Sequence, residues 1–154
     1  LAMSLNNLGT VYGEMKEYDE AEKCYTEALA IYKELARNNP QAYNHYVAGT
    51  LNYLGILYAY KAEPDYAKAA DCYIECLKIR KALAEEHPQA WNPYVASTLS
   101  NMALFYQKAY PDKTLSIKHA EDAISILDKC NDDSAMVRDA RGRANRVLED
   151  WKAK

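Results

Sequence analysis

The sequence is poor in the residues that interrupt regular structure, with five glycines and five prolines among 154 residues. This composition argues against a disordered or low-complexity chain. Hydrophobic residues make up 49% and charged residues 27%, which is typical of one ordered domain. We therefore expect residues 1–154 to form a single domain, which is compatible with the chain being a piece of a longer protein.

Long apolar runs are also missing, and we expect no signal peptide at Leu1. The longest stretch without a charged residue, 44–60, is broken by Asn, Thr, Gly and His, so no segment reads as a membrane span. The sequence has no Gly-rich phosphate loop and no alternating β-branched pattern. We therefore expect an all-α, cytoplasmic protein that makes no membrane contact.

Paired cysteines of the Cys-x-x-Cys type are absent. The four cysteines lie in helical sequence, and we interpret them as reduced core residues: Cys24, Cys72, Cys76 and Cys130. Cys72 and Cys76 share a helix face, so a metal site with a nearby His stays a remote alternative. We expect no metal and no cofactor.

Strong positive charge is limited to one end of the chain. Residues 134–154 carry six Lys or Arg against three Asp or Glu, which leaves −6 for residues 1–133 out of a total of −3. The negative charge of residues 1–133 argues against a phosphate-binding groove, and we expect no nucleic-acid partner. We interpret the basic concentration as a solvated face of the last helix, with nucleic-acid contact as a remote alternative: Arg138, Arg141, Arg143 and Arg146.

Catalytic constellations are not recognisable either. His45, His87 and His119 share no spacing and have no nucleophile or oriented carboxylate visible beside them. The sequence therefore predicts a protein that is not an enzyme.

What the sequence does contain is a repeat, because residues 89–99 restate residues 41–51 after 48 positions. Such a period is typical of stacked helical pairs. The predicted units are 1–40, 41–88 and 89–130, followed by a helix at about 134–152 that lacks the repeat pattern and covers the last core.

Apolar residues at steps of three and four predict seven helices. In the first, the stripe runs through Leu5, Leu8, Val11 and Met15. The other six are expected at 19–38, 44–60, 65–86, from 92 onward, 113–129 and 135–152. Asn44 and Asn92 are the predicted N-caps, and the aromatic residues just before and after them, Tyr43/Trp91 and Tyr46/Tyr94, are interpreted as packing and capping residues of the joint between units.

Two boxes carry a family resemblance. Leu5-x-x-Leu8-Gly9-x-x-Tyr12 with Ala21-x-x-x-Tyr25-x-x-Ala28, and Leu51-x-x-Leu54-Gly55-x-x-Tyr58 with Ala69-x-x-x-Tyr73, resemble the tetratricopeptide repeat. The spacing of 46 to 48 residues is similar to the extended repeats of kinesin light chains and of many bacterial members. The third unit departs most, with Ala103 in place of Gly and with Ser116 or Ile117 where Ala is expected.

The resemblance implies an α-solenoid, a right-handed superhelix of three helical pairs plus a C-terminal capping helix. It also implies a non-catalytic interaction scaffold that holds a partner's peptide segment in its concave groove. In relatives an Asn before the Leu-Gly pair often bonds the ligand backbone, which Asn7 and Asn101 match and Tyr53 does not. The predicted groove residues are Asn6, Asn7, Thr10, Asn52, Tyr53, Ile56, Tyr60, Asn101, Leu104 and Lys108, with Glu14 further along the first helix.

A second reading is structural. The first helix has an apolar face that nothing in the chain is expected to cover, so the N-terminal end could self-associate while the groove stays idle. Under either hypothesis, these residues do not identify the partner.

Overall fold

The computed structural model describes all 154 residues and contains seven helices packed sequentially in antiparallel pairs. The predicted all-α fold class is confirmed. The helices are α1 (Ala2–Glu14), α2 (Tyr18–Asn38), α3 (Pro40–Tyr60), α4 (Tyr66–Glu86), α5 (Pro88–Leu104), α6 (Lys113–Leu127) and α7 (Ala135–Lys152). The chain divides into two compact units, Leu1–Ile79 and Arg80–Lys154, and the boundary falls inside α4.

The helix starts of α3 and α5 differ from the prediction. α2 and α3 are separated by Asn39 alone, and the Asn39 side chain accepts a hydrogen bond from the Ala42 amide at 3.2 Å. A residue before proline avoids the helical region, and proline itself suits the first helical position, so Pro40 both ends α2 and begins α3. Asn44 therefore lies inside α3, and its prediction as an N-cap was wrong.

His87 is the residue before Pro88 and the N-cap of α5, with φ and ψ angles of −137° and 77°, but its side chain makes no capping hydrogen bond. Asn92 consequently lies within α5, and Pro93 is an interior residue of that helix rather than its first. The aromatic residues of the supposed joint are helical packing residues, since the Tyr46 ring stacks on Tyr32 with centroids 5.1 Å apart. The packing part of the interpretation is confirmed, and the capping part was wrong.

Glycine decides how closely the paired helices of the first unit approach. A Cβ atom at Gly9 would lie 2.8 Å from Cε1 of Tyr25, and one at Gly55 would lie 2.9 Å from Cε1 of Tyr73. The facing surface of α2 also carries a small residue, Ala21, which is fully buried. The predicted role of Gly9 and Gly55 as close-approach residues is confirmed.

The apolar stripe predicted for α1 is only partly a core face. Ala2 and Gly9 are buried, whereas Leu8, Val11 and Met15 are 43%, 49% and 62% exposed. Leu5 of the stripe is partly buried and packs against the core cluster that contains Ala2, whereas the three residues of the stripe that follow it are exposed. The sequence pattern predicted which residues share a face but not which face was covered.

The second compact unit contains a helix type that periodicity did not predict. α5 passes directly into a π-helical segment, Phe105–Ala109. Gln107 in this segment is buried and donates from Nε2 to the Val147 carbonyl of α7 at 3.3 Å. The wider π turn therefore aims a polar side chain at the last helix.

α7 covers α5 and α6, as expected for a capping helix. Its Val137 and Ala140 join Ala96 and Leu127 in one buried cluster. Ser134 caps the helix by accepting from the Val137 amide at 3.4 Å. Arg80 is also buried in this unit, at 5% exposure, where it donates to the Thr98 hydroxyl at 2.7 Å and lies over the Tyr94 ring.

The interpretation of the α7 arginines needs a correction. Arg141 forms an ion pair with Asp128 at 2.7 Å, and Arg143 donates from Nε to the buried hydroxyl of Ser100 at 3.1 Å. Arg138 and Arg146 alone of the four are exposed. The predicted solvated basic face is thus divided, because two of its members hold α7 to α6 and α5.

The third pair replaces the glycine–tyrosine contact with a hydrogen-bonded chain. The fully buried Ser116 hydroxyl donates to the Ala103 carbonyl at 2.7 Å, and Trp151 of α7 donates from Nε1 to that hydroxyl at 2.9 Å. Ser116, and not Ile117, thus occupies the buried position where the repeat expects Ala. The indole extends the pair's polar contact to the capping helix.

We expect Gly55→Ala to lower the free energy of unfolding by about 1–3 kcal/mol, because the new methyl group meets a Tyr73 ring that is 1% exposed and cannot move aside. Gly49→Ala in the same helix is the matched control, since its Cβ would meet nothing within 4 Å. That variant should gain about 0.5–1 kcal/mol from helix propensity. Urea denaturation of both variants measures the difference, and equal stability would refute the close-approach role.

Trp151→Phe should cost about 1 kcal/mol through loss of the indole hydrogen bond to Ser116. The same change in a Ser116→Ala background should cost measurably less, because the partner is already gone. Thermal or urea unfolding of the four proteins gives the coupling energy. If the losses of unfolding free energy from the two substitutions were strictly additive, the indole would act by packing alone.

Candidate functional site

The residues predicted to line a groove come together in part, in a cleft between α1 and α3. We call it the tyrosine cleft, and it has a volume of about 360 Å³. Four predicted residues, Thr10, Tyr53, Ile56 and Tyr60, belong to it. The complete lining is Thr10, Gly13, Glu14, Tyr18, Tyr25, Tyr53, Ile56, Leu57 and Tyr60.

Tyr25 of α2 is the residue that orders the cleft. Its hydroxyl is 3.1 Å from Thr10 Oγ1 of α1, and its ring stacks on Tyr53 of α3 with centroids 5.5 Å apart and an interplanar angle of 16°. Because Gly9 of α1 has no side chain, the Tyr25 ring of α2 packs directly against α1 while it stacks on Tyr53 of α3. One buried ring therefore fixes the positions of two exposed, predicted contact residues.

The cleft presents apolar surface to solvent. Tyr53, Ile56 and Tyr60 on one face of α3 are 42%, 38% and 48% exposed. Exposed apolar side chains grouped around a concave surface are typical of binding sites, whereas single exposed ones are common everywhere. Burial raises the pKa of Tyr25 and of Tyr60, so both hydroxyls stay neutral at physiological pH.

The asparagines have different positions. Asn6 does not line the cleft, because its Nδ2 donates to Thr50 Oγ1 of α3 at 2.8 Å and its Oδ1 is buried. Asn7 is exposed on α1 outside the cleft lining, and Asn52 is half-buried on α3. The structure thus gives Asn6 a clear role in joining α1 to α3.

The predicted residues of the second compact unit are described separately. Asn101 and Leu104 are half-buried on α5. Lys108 is exposed in the π-helical segment and lines a smaller cavity of about 350 Å³ with Gln107, Asp150, Ala153 and Lys154. Because the π turn shifts the register after Leu104, Lys108 lies at a position that α-helical spacing does not predict.

Sequence reasoning missed two important members of the cleft. Tyr25 was interpreted as a core residue of the repeat, and Glu14 was noted but left out of the predicted site. The signal for Tyr25 was Gly9, since a glycine opposite an aromatic residue lets the ring pack directly against the helix backbone. Glu14 lies one helical turn beyond Thr10, on the same face of α1.

Reactive side chains are not concentrated anywhere. All four cysteines are free thiols, and burial together with Glu75 and Asp71 raises the pKa of Cys72 to about 11. A thiol with so high a pKa is a poor nucleophile at neutral pH. No group of three or more His, Cys, Asp or Glu side chains is arranged to hold a metal ion, and no helix combines the length and apolar character that crossing a bilayer requires.

Comparison with known proteins identifies the first helical pair. Residues 1–40 match the tetratricopeptide repeat, in its kinesin light chain form. The resemblance read from the boxes at Leu5 and Ala21 is confirmed for this unit. No curated protein matches the chain, and no catalytic family is identified. The matched repeat suggests a protein-interaction module and does not show its ligand.

Proposed function

We propose that this chain, whose residues 1–40 form a tetratricopeptide repeat, is a non-catalytic scaffold that binds a peptide segment of a partner protein in the tyrosine cleft. The observation that carries the proposal is the set of exposed apolar side chains held in place by Tyr25. A cytoplasmic location is part of the proposal and is supported by the four free thiols.

The geometry supports a peptide better than a small polar metabolite. The lining is mostly aromatic and aliphatic, and one carboxylate, Glu14, is its only charged group. Aromatic rings provide large contact area at low cost in side-chain entropy, which suits recognition of a flexible segment. Tyr53, Ile56 and Tyr60 are exposed around the cleft, so a side chain of a peptide can enter it from solvent.

Contacts beyond the cleft complete the proposal. Asn7 offers an exposed amide group on α1, and a side-chain amide can donate to and accept from a peptide unit at once. Asn52 is proposed as a further contact on α3. Asn101, Leu104 and Lys108 are proposed as contacts made by the second compact unit. Each hydrogen bond of this kind contributes about 0.5–1.5 kcal/mol net.

Tyr53→Ala should abolish selection of peptides that wild-type protein captures from a random displayed library, because it removes one wall of the tyrosine cleft. Tyr46→Ala is the matched control, since Tyr46 lies on the same helix, is 37% exposed and stacks on Tyr32 just as Tyr53 stacks on Tyr25. Both variants lose a comparable stacked ring. Capture that is equal in the two variants would contradict the proposal.

A second candidate function is self-association through α1. Leu8, Val11 and Met15, at spacings of three and four, form an exposed apolar stripe on the side of α1 away from the tyrosine cleft. Burial of such a stripe between two copies would remove apolar surface from water at about 25 cal/mol per Å². This reading makes the protein a structural module rather than a peptide receptor.

Val11→Lys should convert a concentration-dependent mass into a monomer mass if α1 is the association surface. Ile74→Lys is the control, because Ile74 is 53% exposed on α4. Light scattering across a concentration series makes the measurement. A wild-type protein that stays monomeric throughout would remove this second candidate.

A further inference from the structure

The charge inside the tyrosine cleft has one sign. Glu14 is its only ionised lining residue, and no Lys or Arg lines it. Glu14 is exposed and makes no ion pair with any other side chain. Its carboxylate is therefore available to a ligand.

Two basic side chains that are close in sequence to cleft residues have other surroundings. Lys61 follows the cleft residue Tyr60, but its Nζ lies 3.6 Å from Glu22 Oε2 and 5.9 Å from the centre of the Tyr58 ring. Lys16 lines a separate cavity formed by the two inter-helix turns. The cleft therefore lacks a cation of its own to neutralise Glu14.

The aromatic lining of the tyrosine cleft also favours a cationic ligand. Tyr18, Tyr25, Tyr53 and Tyr60 line the same cleft. The face of a neutral phenol ring attracts a guanidinium or ammonium group, and the attraction is stronger at sites partly shielded from water. Tyr53 and Tyr60 are the exposed rings among the four, and burial raises the pKa of Tyr60 further above its already basic ordinary value, so that ring is neutral at physiological pH.

The surrounding unit has the same sign of charge. Residues 1–79 contain seven Lys or Arg and eleven Asp or Glu, a formal charge of −4. A field of this sign attracts a basic segment and repels an acidic one before contact is made.

We infer that the peptide bound in the tyrosine cleft presents a lysine or arginine side chain to Glu14 and the tyrosine faces, with an adjacent apolar residue on Ile56. This inference rests on the proposed function and names the chemistry of the partner at that site. The partner is a protein with a basic, partly apolar segment.

The experiment compares the peptides that wild type, Glu14→Gln, Glu14→Lys and Glu27→Gln select from one random displayed library. Glu27 is exposed on α2 outside the cleft and makes no ion pair, so its variant has the same net charge as Glu14→Gln. We expect Lys and Arg to be enriched with wild type and Glu27→Gln, the enrichment to fall with Glu14→Gln, and acidic residues to replace them with Glu14→Lys.

A selected peptide is then synthesised with its arginine replaced by citrulline, or its lysine by norleucine. The charged form should bind wild type about tenfold tighter at low salt, with the preference largely lost at high salt and in Glu14→Gln. Amide chemical shifts of Tyr53 and Ile56 report whether the peptide occupies the cleft.

The outcomes separate the two proposals. Peptides that shift Tyr53 and Ile56 but show no basic enrichment, or the same enrichment with Glu14→Gln, would overturn the inference and leave the proposed function standing. If no peptide is selected, or none shifts those amides, both fail. Circular dichroism of each variant verifies folding, which we expect to be unchanged because Glu14 is exposed and unpaired.

Discussion

The contact between a glycine and a tyrosine ring is the constraint on which the first compact unit depends. At Gly9 and at Gly55 the ring of the partner helix lies where any side chain would be. That contact lets neighbouring helices approach closely enough for their alanines to be buried. It also places Tyr25 beneath α1 and α3, so the packing that holds the helices together is the packing that makes the tyrosine cleft.

The third helical pair shows what happens when that contact is lost. Ala103 stands at the glycine position, and the buried residues opposite are Ser116 and Ala120. Small residues on both sides leave no large ring to fill the interface. Trp151 of α7 reaches Ser116 instead, and Gln107 of the π-helical segment reaches the α7 backbone. The capping helix is therefore joined to the last pair through these hydrogen bonds as well as through the apolar cluster that contains Val137 and Ala140.

The site was predictable in part because the tetratricopeptide resemblance implies that the first helix of each pair lines a groove, and helical periodicity then indicates which residues share that face. Thr10, Tyr53, Ile56 and Tyr60 were identified in this way and do line one cleft. Asn6 lies on a neighbouring face, but it turned inward because the Thr50 hydroxyl of α3 was within reach. Local sequence could not show this, since the two residues are 44 positions apart. Glu14 was undervalued because a lone carboxylate on a helix is usually only solvated.

The sequence by itself determined the helical class, the number of helices, the repeat and the small residues at close approach, because each follows from composition and from the 3.6-residue period. Tertiary structure alone decided which apolar stripe was covered, since Leu8, Val11 and Met15 share the spacing of a core face yet are exposed. It also decided that Arg80 and Arg143 turn toward buried hydroxyl groups, and that Tyr25 forms the floor of a cleft. These outcomes depend on which neighbour lies within a few ångströms, and sequence periodicity carries no information about that neighbour.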